Sequence, residues 1–133
     1  MKSGPSEKAI LNESLIAVSG LPDTMAWRNN TGMAWQGEEL RVGVGQMVRV
    51  ERGMKILRDA RPVQFGLLGS GDIMGVTFGR AWAIEVKDAV GRQQESQMKF
   101  QRAFELAGGK YQLVRSAEAA VQFIERIRRH GAE

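Results

Sequence analysis

The chain has 133 residues, 43% of them hydrophobic, and a net charge of +4, enough for one compact domain around one core. It has no cysteine, which excludes disulfides, zinc ribbons and cysteine nucleophiles. Its one histidine, His130, lies in a polar C-terminal tail, which argues against serine triads and histidine-centred metal sites. The chemistry left to it rests on carboxylates, lysine and a hard cation. The basic excess favours a polyanionic partner such as nucleic acid, although a solvated basic surface is the commoner meaning of such a charge. No apolar run approaches the roughly 20 residues that span a bilayer, and no signal-peptide pattern opens the chain. A soluble, cytoplasmic protein without a membrane partner is expected.

In chain order, Ser6 is a candidate N-cap for a helix from Glu7 to Val18, apolar around much of its circumference and ended by Gly20-Leu21-Pro22-Asp23. Thr24 to Arg28 reads as a strand, closed by the turn-prone Asn29-Asn30-Thr31-Gly32. From Met33 to Phe65, strand-like pieces (Leu40 to Val44, Met47 to Val50, Pro62 to Phe65) alternate with glycines and charges, the pattern of an elaborated hairpin or insertion. Asp72 to Val76 then forms a short strand, Thr77 to Arg80 a turn, and Ala81 to Lys87 an apolar strand ending in charge. Gln94 to Ala107 sets Phe100, Ala103, Phe104 and Ala107 on one helical face, and Gly108-Gly109 stops that helix. Tyr111 to Val114 is a last strand, and Ser116 caps a last helix carrying Ala120, Val121, Ile124 and Ile127. The order implies a mixed α/β domain.

Alternation along the strand puts Glu85 and Lys87 on one face and Val86 on the other. Asp72 lies thirteen residues before Glu85 across the Phe78-Gly79-Arg80 turn, so an antiparallel pair would bring Asp72 beside both. Two carboxylates and an ammonium on one patch suit metal-assisted phosphodiester hydrolysis. Magnesium needs only one or two carboxylates, and a lysine can orient a water, help deprotonate it or neutralise developing charge. An exposed ion pair is the commoner meaning of Glu-x-Lys on a strand. Gln97, on the apolar face of its helix, requires a polar partner: an active-site neighbour or another core group. The glycine clusters at 43–45 and 69–71 lack the Lys-Ser/Thr of a phosphate loop and read as turns. Arg126, Arg128, Arg129 and His130 read as a solvated helix end, with phosphate contact a secondary option.

The ordered set Gly71-Asp72-Ile73-Met74-Gly75, Ile84-Glu85-Val86-Lys87-Asp88, Gly91-Arg92, Ser96-Gln97 and Ala107-Gly108-Gly109 resembles the virus-type replication-repair nuclease family (VRR-NUC) of the PD-(D/E)xK superfamily. Arg28-Asn29-Asn30 and Glu13 extend the likeness, which covers about residues 7–35 and 66–123. Glycine stands before Asp72 where many relatives have proline or serine.

The resemblance implies a restriction-endonuclease-like α/β fold, a central mixed sheet flanked by helices, in a single domain over 1–133 with an insertion around 36–65. It implies Asp72, Glu85 and the Val86 backbone carbonyl as metal ligands, with Lys87, Gln97 and Glu13 as catalytic residues. Glu7 competes with Glu13 for the outlying acid. Arg28, Asn29 and Arg92 are the candidate nucleic-acid contacts. The expected cofactor is Mg2+, with Mn2+ as substitute. The expected activity is endonucleolytic, on branched DNA such as four-way (Holliday) junctions, by a homodimer. The alternatives are a non-catalytic DNA-binding module with a nuclease-like fold and a small basic interaction domain in which Glu-x-Lys is incidental.

Overall fold

The computed structural model describes residues 4–41 and 43–130. It divides into two compact units, one formed by residues up to Asn30 together with those from Gly66 onward, the other by Thr31–Phe65. The first unit is a mixed α/β layer structure. Its elements are α1 (Glu7–Ser19), β1 (Thr24–Arg28), β4 (Ile73–Thr77), β5 (Arg80–Val86), α2 (Glu95–Leu106), β6 (Lys110–Val114) and α3 (Ala117–His130), with β2 (Gly32–Glu39) and β3 (Leu57–Phe65) belonging to the second unit. The four-stranded sheet runs β1-β4-β5-β6, antiparallel except for the parallel pair β5 and β6.

Local chemistry accounts for the element ends. The Ser6 side chain accepts the Ala9 N–H at 3.1 Å and starts α1, and Ser116 does the same for Ala119 at the start of α3. Phe78 and Gly79 both take positive φ (50° and 79°), the two-residue turn that matches the twist of a hairpin, so β4 and β5 pair from Thr77↔Arg80 back to Ile73↔Ile84.

The sheet's two faces differ. Ile73, Trp82, Ile84, Val86 and Val114 point toward α1 and α3, where with Ile10, Val18, Phe123, Ile124 and Ile127 they form the core. Trp82 is fully buried; its indole N–H donates to Thr77 Oγ1 at 2.8 Å, which meets the need of a buried polar group, and Phe123 packs edge-on to its ring. The opposite face carries Met25, Trp27, Met74, Val76, Ala83 and Glu85 in register. Helix α2 packs against β6 there, through Phe100 and Phe104 beside Tyr111. Met25, Trp27 and Val76 stay exposed on that face (70%, 42% and 40%).

The second unit is an antiparallel pair, β2 with β3, in register from Gly32↔Phe65 to Glu39↔Leu57 with an irregularity between Gln36 and Glu38. It begins at residue 31, five earlier than the expected insertion. Met47 to Val50 is not a strand, nor are the described residues of Leu40 to Val44; position 42 lies outside the described residues. Glycines and charges defeat the period-two pattern in that segment.

Gly75, in the middle of β4, tests the packing. A methyl group there would collide with the Trp82 ring and with the Met25 carbonyl of the neighbouring strand, and that backbone cannot move cheaply. Gly75→Ala should therefore destabilise the fold by about 1–3 kcal/mol in urea unfolding; an unchanged midpoint would contradict this packing.

Candidate metal centre

The carboxylates meet where β4 begins and β5 ends. Asp72 directly precedes β4, its N–H continuing the ladder to the Ile84 carbonyl at 2.8 Å and its own carbonyl accepting the Asn29 N–H at 2.8 Å. Two neighbouring strands thus fix its backbone. Its Oδ2 accepts the Val86 N–H at 2.7 Å, so the carboxylate lies over the end of β5. In an extended strand the N–H and C=O of one residue point to the same edge, so the Val86 carbonyl is directed toward the Asp72 side.

Glu85 and Lys87 project from the α2 face and are both buried, 3% and 8% exposed, with Lys87 Nζ 3.6 Å from Glu85 Oε1. This is not the exposed ion pair that Glu-x-Lys commonly makes. Gln97 donates from Nε2 to Glu85 Oε1 at 2.7 Å and accepts the Gln94 N–H on its Oε1 at 2.7 Å. One amide thus caps α2 and fastens the helix to the carboxylate. Glu85 Oε2 is buried without a hydrogen-bond partner. Burial, then the charge of Asp72 and a carboxyl–carboxyl hydrogen bond with it when Glu85 is protonated, push the Glu85 carboxyl up to about 8, against a smaller pull from Lys87.

An orphaned carboxylate oxygen beside a second carboxylate fits a hard divalent cation, which takes oxygen ligands and keeps several of its waters. Among the described residues no group of three or more acidic, histidine or cysteine side chains gathers anywhere. A cation held here would have two carboxylates plus backbone as its donors.

Two supports had no local signal in the sequence. Asp88 is buried; its Oδ1 accepts the N–H groups of Val90 and Gly91 at 3.1 and 2.7 Å, while Arg115 Nη1 donates to the carbonyls of Asp88 and Gly91. This brace shapes the loop between Lys87 and α2. Gly69 (φ +82°) lies so close to the Ser96 backbone that any side chain would collide, which brings the loop before Asp72 onto the first turn of α2.

The remaining candidates are dispersed. Arg28 and Arg92 are exposed and find no side-chain hydrogen bond or ion pair among the described residues. The Asn29 amide is engaged, donating to Ser70 Oγ and the Gly71 carbonyl at 2.8 and 2.9 Å, so it braces the approach to Asp72. Glu13 is exposed on α1, which packs on the other face of the sheet, and among the described residues neither its side chain nor that of Glu7 finds a hydrogen bond or ion pair. Trp27, which sequence reading did not single out, pairs with Met74 on β4; it is a diagonal neighbour of Asp72 on the open face.

Compared with known proteins, no family model matches the chain and no match to a curated protein was found.

The raised Glu85 pKa makes stability depend on pH. Between its ordinary value of 4.5 and about 8, folded Glu85 keeps a proton that the unfolded chain has released. Its favourable contribution is thus complete below about 4.5 and is lost as pH rises toward 8. In chelator, the unfolding midpoint should fall between pH 5 and 8, Glu85→Gln should flatten that fall, and magnesium should restore most at pH 8. A slope unaffected by Glu85→Gln would contradict the assignment.

Proposed function

We propose that this chain is a magnesium-dependent DNA endonuclease with the PD-(D/E)xK fold, of the virus-type replication-repair nuclease kind. The observation that carries the reading is the buried Glu85 with its unpartnered oxygen, set between Asp72, Lys87 and Gln97. The strand pairing and helix placement around it agree with the fold that the sequence resemblance implies. Among the described residues no helix is long and apolar enough to cross a membrane.

Asp72, Glu85 and the Val86 carbonyl would hold the cation, for which Mn2+ also serves. The bound ion would supply a Lewis acid for the phosphoryl group and lower the pKa of a water. Lys87, buried against Glu85, places its ammonium where it stabilises the charge that develops on the phosphoryl oxygens. Gln97 holds the Glu85 carboxylate in one orientation, and Asp72 is held in place by backbone from both sides. Arg28 and Arg92 offer unpaired cations for the phosphate backbone, contacts that position DNA without reading its bases. Trp27 gives an unpaired base beside the site a ring on which to stack, which favours branched over plain duplex DNA. A single site cuts one strand, so a symmetric homodimer would match the two-fold symmetry of a four-way junction.

Cleavage of a labelled four-way junction tests the reading. Asp72→Asn, Glu85→Gln and Lys87→Ala should each lower the rate by about 10²-fold or more while the protein still binds the junction. Gln97→Ala should cost less, about 10- to 100-fold, because it acts through Glu85. Glu13→Ala should fall below Gln97→Ala in effect and above Glu7→Ala. Wild-type rates for Lys87→Ala would refute the proposal.

The same preparation tests assembly. Light scattering after size exclusion should give a dimer, with junction DNA cut in preference to duplex and affinity falling steeply with salt. A monomer that cuts both at equal rates would refute the junction assignment while leaving the catalytic one standing.

A further inference from the structure

A second concave site lies away from the carboxylates. It is a cleft of about 540 Å³ at the opposite end of β5 and β6, within the range of about 300–1,000 Å³ typical of small-ligand pockets. Three cations from three elements line it: Arg80 at the start of β5, Lys110 at the start of β6 and Arg126 on α3. Parallel register places Lys110 beside Trp82, two residues beyond Arg80 on the same face, so both basic side chains leave the sheet on the α3 side. Arg126 and His130 stand one turn apart on α3 and complete the wall. Among the described residues Glu105 is the one acid in the lining.

These cations are not accounted for by the fold. Among the described residues Arg80, Lys110 and Arg126 find no side-chain hydrogen bond or ion pair, whereas Arg128, from the same basic helix end, is engaged with Glu125 and Asp23. The C-terminal dipole of α3 already has Arg128, Arg129 and His130 in its last turn and calls for no cation from two strands. Like charges converging on a concave site repel one another, and an anion there removes the repulsion. Five steps along the strand separate Arg80 from Glu85, about 17 Å at 3.3–3.4 Å per residue, and the two side chains leave β5 on opposite faces.

We propose that this cleft is a phosphate-binding site, separate from the metal centre, that takes the phosphate of a nucleotide or of a nucleic-acid strand. Arg80, Lys110 and Arg126 supply the charge, and the Arg guanidinium groups pair two-pronged with phosphate oxygens. The proposal does not require the nuclease assignment, because binding is read without any cleavage.

The test is a titration of the full chain in chelator with inorganic phosphate, with a deoxynucleoside monophosphate and with a labelled single-stranded dodecamer. Amide NMR shifts locate the site, and anisotropy reads the dodecamer. Shifts should gather at Lys110–Gln112 and Arg126–His130. The Lys110→Ala/Arg126→Ala double variant should bind at least tenfold more weakly, while Arg102→Ala, an equal kind of charge loss on exposed α2, leaves binding unchanged. Thermal unfolding confirms that each variant is folded, and Arg80→Gln serves as an independent variant. Binding of the monophosphate identifies a nucleotide site. Binding of the dodecamer alone, with a shallower salt dependence in the double variant, identifies a strand contact. No binding by any probe, equal weakening by Arg102→Ala, or shifts located elsewhere would overturn the proposal.

Discussion

A carboxylate removed from water beside a second carboxylate is costly unless positive charge meets it, and the first unit is organised around one such group. Glu85 is buried at the end of β5, with Asp72 brought against the same strand end by the β4–β5 hairpin. Lys87 offsets part of that charge, Gln97 satisfies one oxygen, and the other oxygen has no partner. With Glu85 ionised, two carboxylates against one ammonium leave negative charge uncompensated; a proton on Glu85 offsets it below about pH 8, and a divalent cation would take that proton's place. The proposed chemistry follows from that imbalance, and so does the pH dependence of the fold.

The sheet separates stability from chemistry. Trp82, Ile84 and Val86 alternate with Ala83 and Glu85, so one strand contributes to a closed core with α1 and α3 on one face and to the charged site on the other. That core keeps the strand ends rigid. Among the described elements the face bearing Glu85 carries one helix and leaves Met25, Trp27 and Val76 exposed, with Trp27 the nearest of the three to Asp72. The basic cleft lies at the far end of the closed side, lined by Arg80, Lys110 and Arg126.

Most of the first unit was legible because each element carries a local signal. Ser6 and Ser116 are read as caps, the acid-to-acid spacing of Asp72 and Glu85 fits a tight hairpin, and the Phe100/Phe104 stripe marks α2. Gln97 was singled out as a polar residue in need of a partner, but nothing local says that its amide joins a helix cap to Glu85. The Asp88–Arg115 brace and the cleft of Arg80, Lys110 and Arg126 were hidden for the same reason: they join residues distant in sequence. The tail read as one solvated helix end divides in the structure, Arg128 into ion pairs and Arg126 into the cleft. The second unit was the least legible, since its strands lie where glycines and charges mask any alternation.

Calorimetric titration of the chain with magnesium at pH 7, repeated in buffers of different ionisation enthalpy, tests the central claim most directly. Because Glu85 holds its proton until about pH 8 without the ion, cation binding should release close to one proton per chain, and Glu85→Gln should abolish that release. The absence of cation binding, or binding with proton release that Glu85→Gln leaves unchanged, would contradict the account.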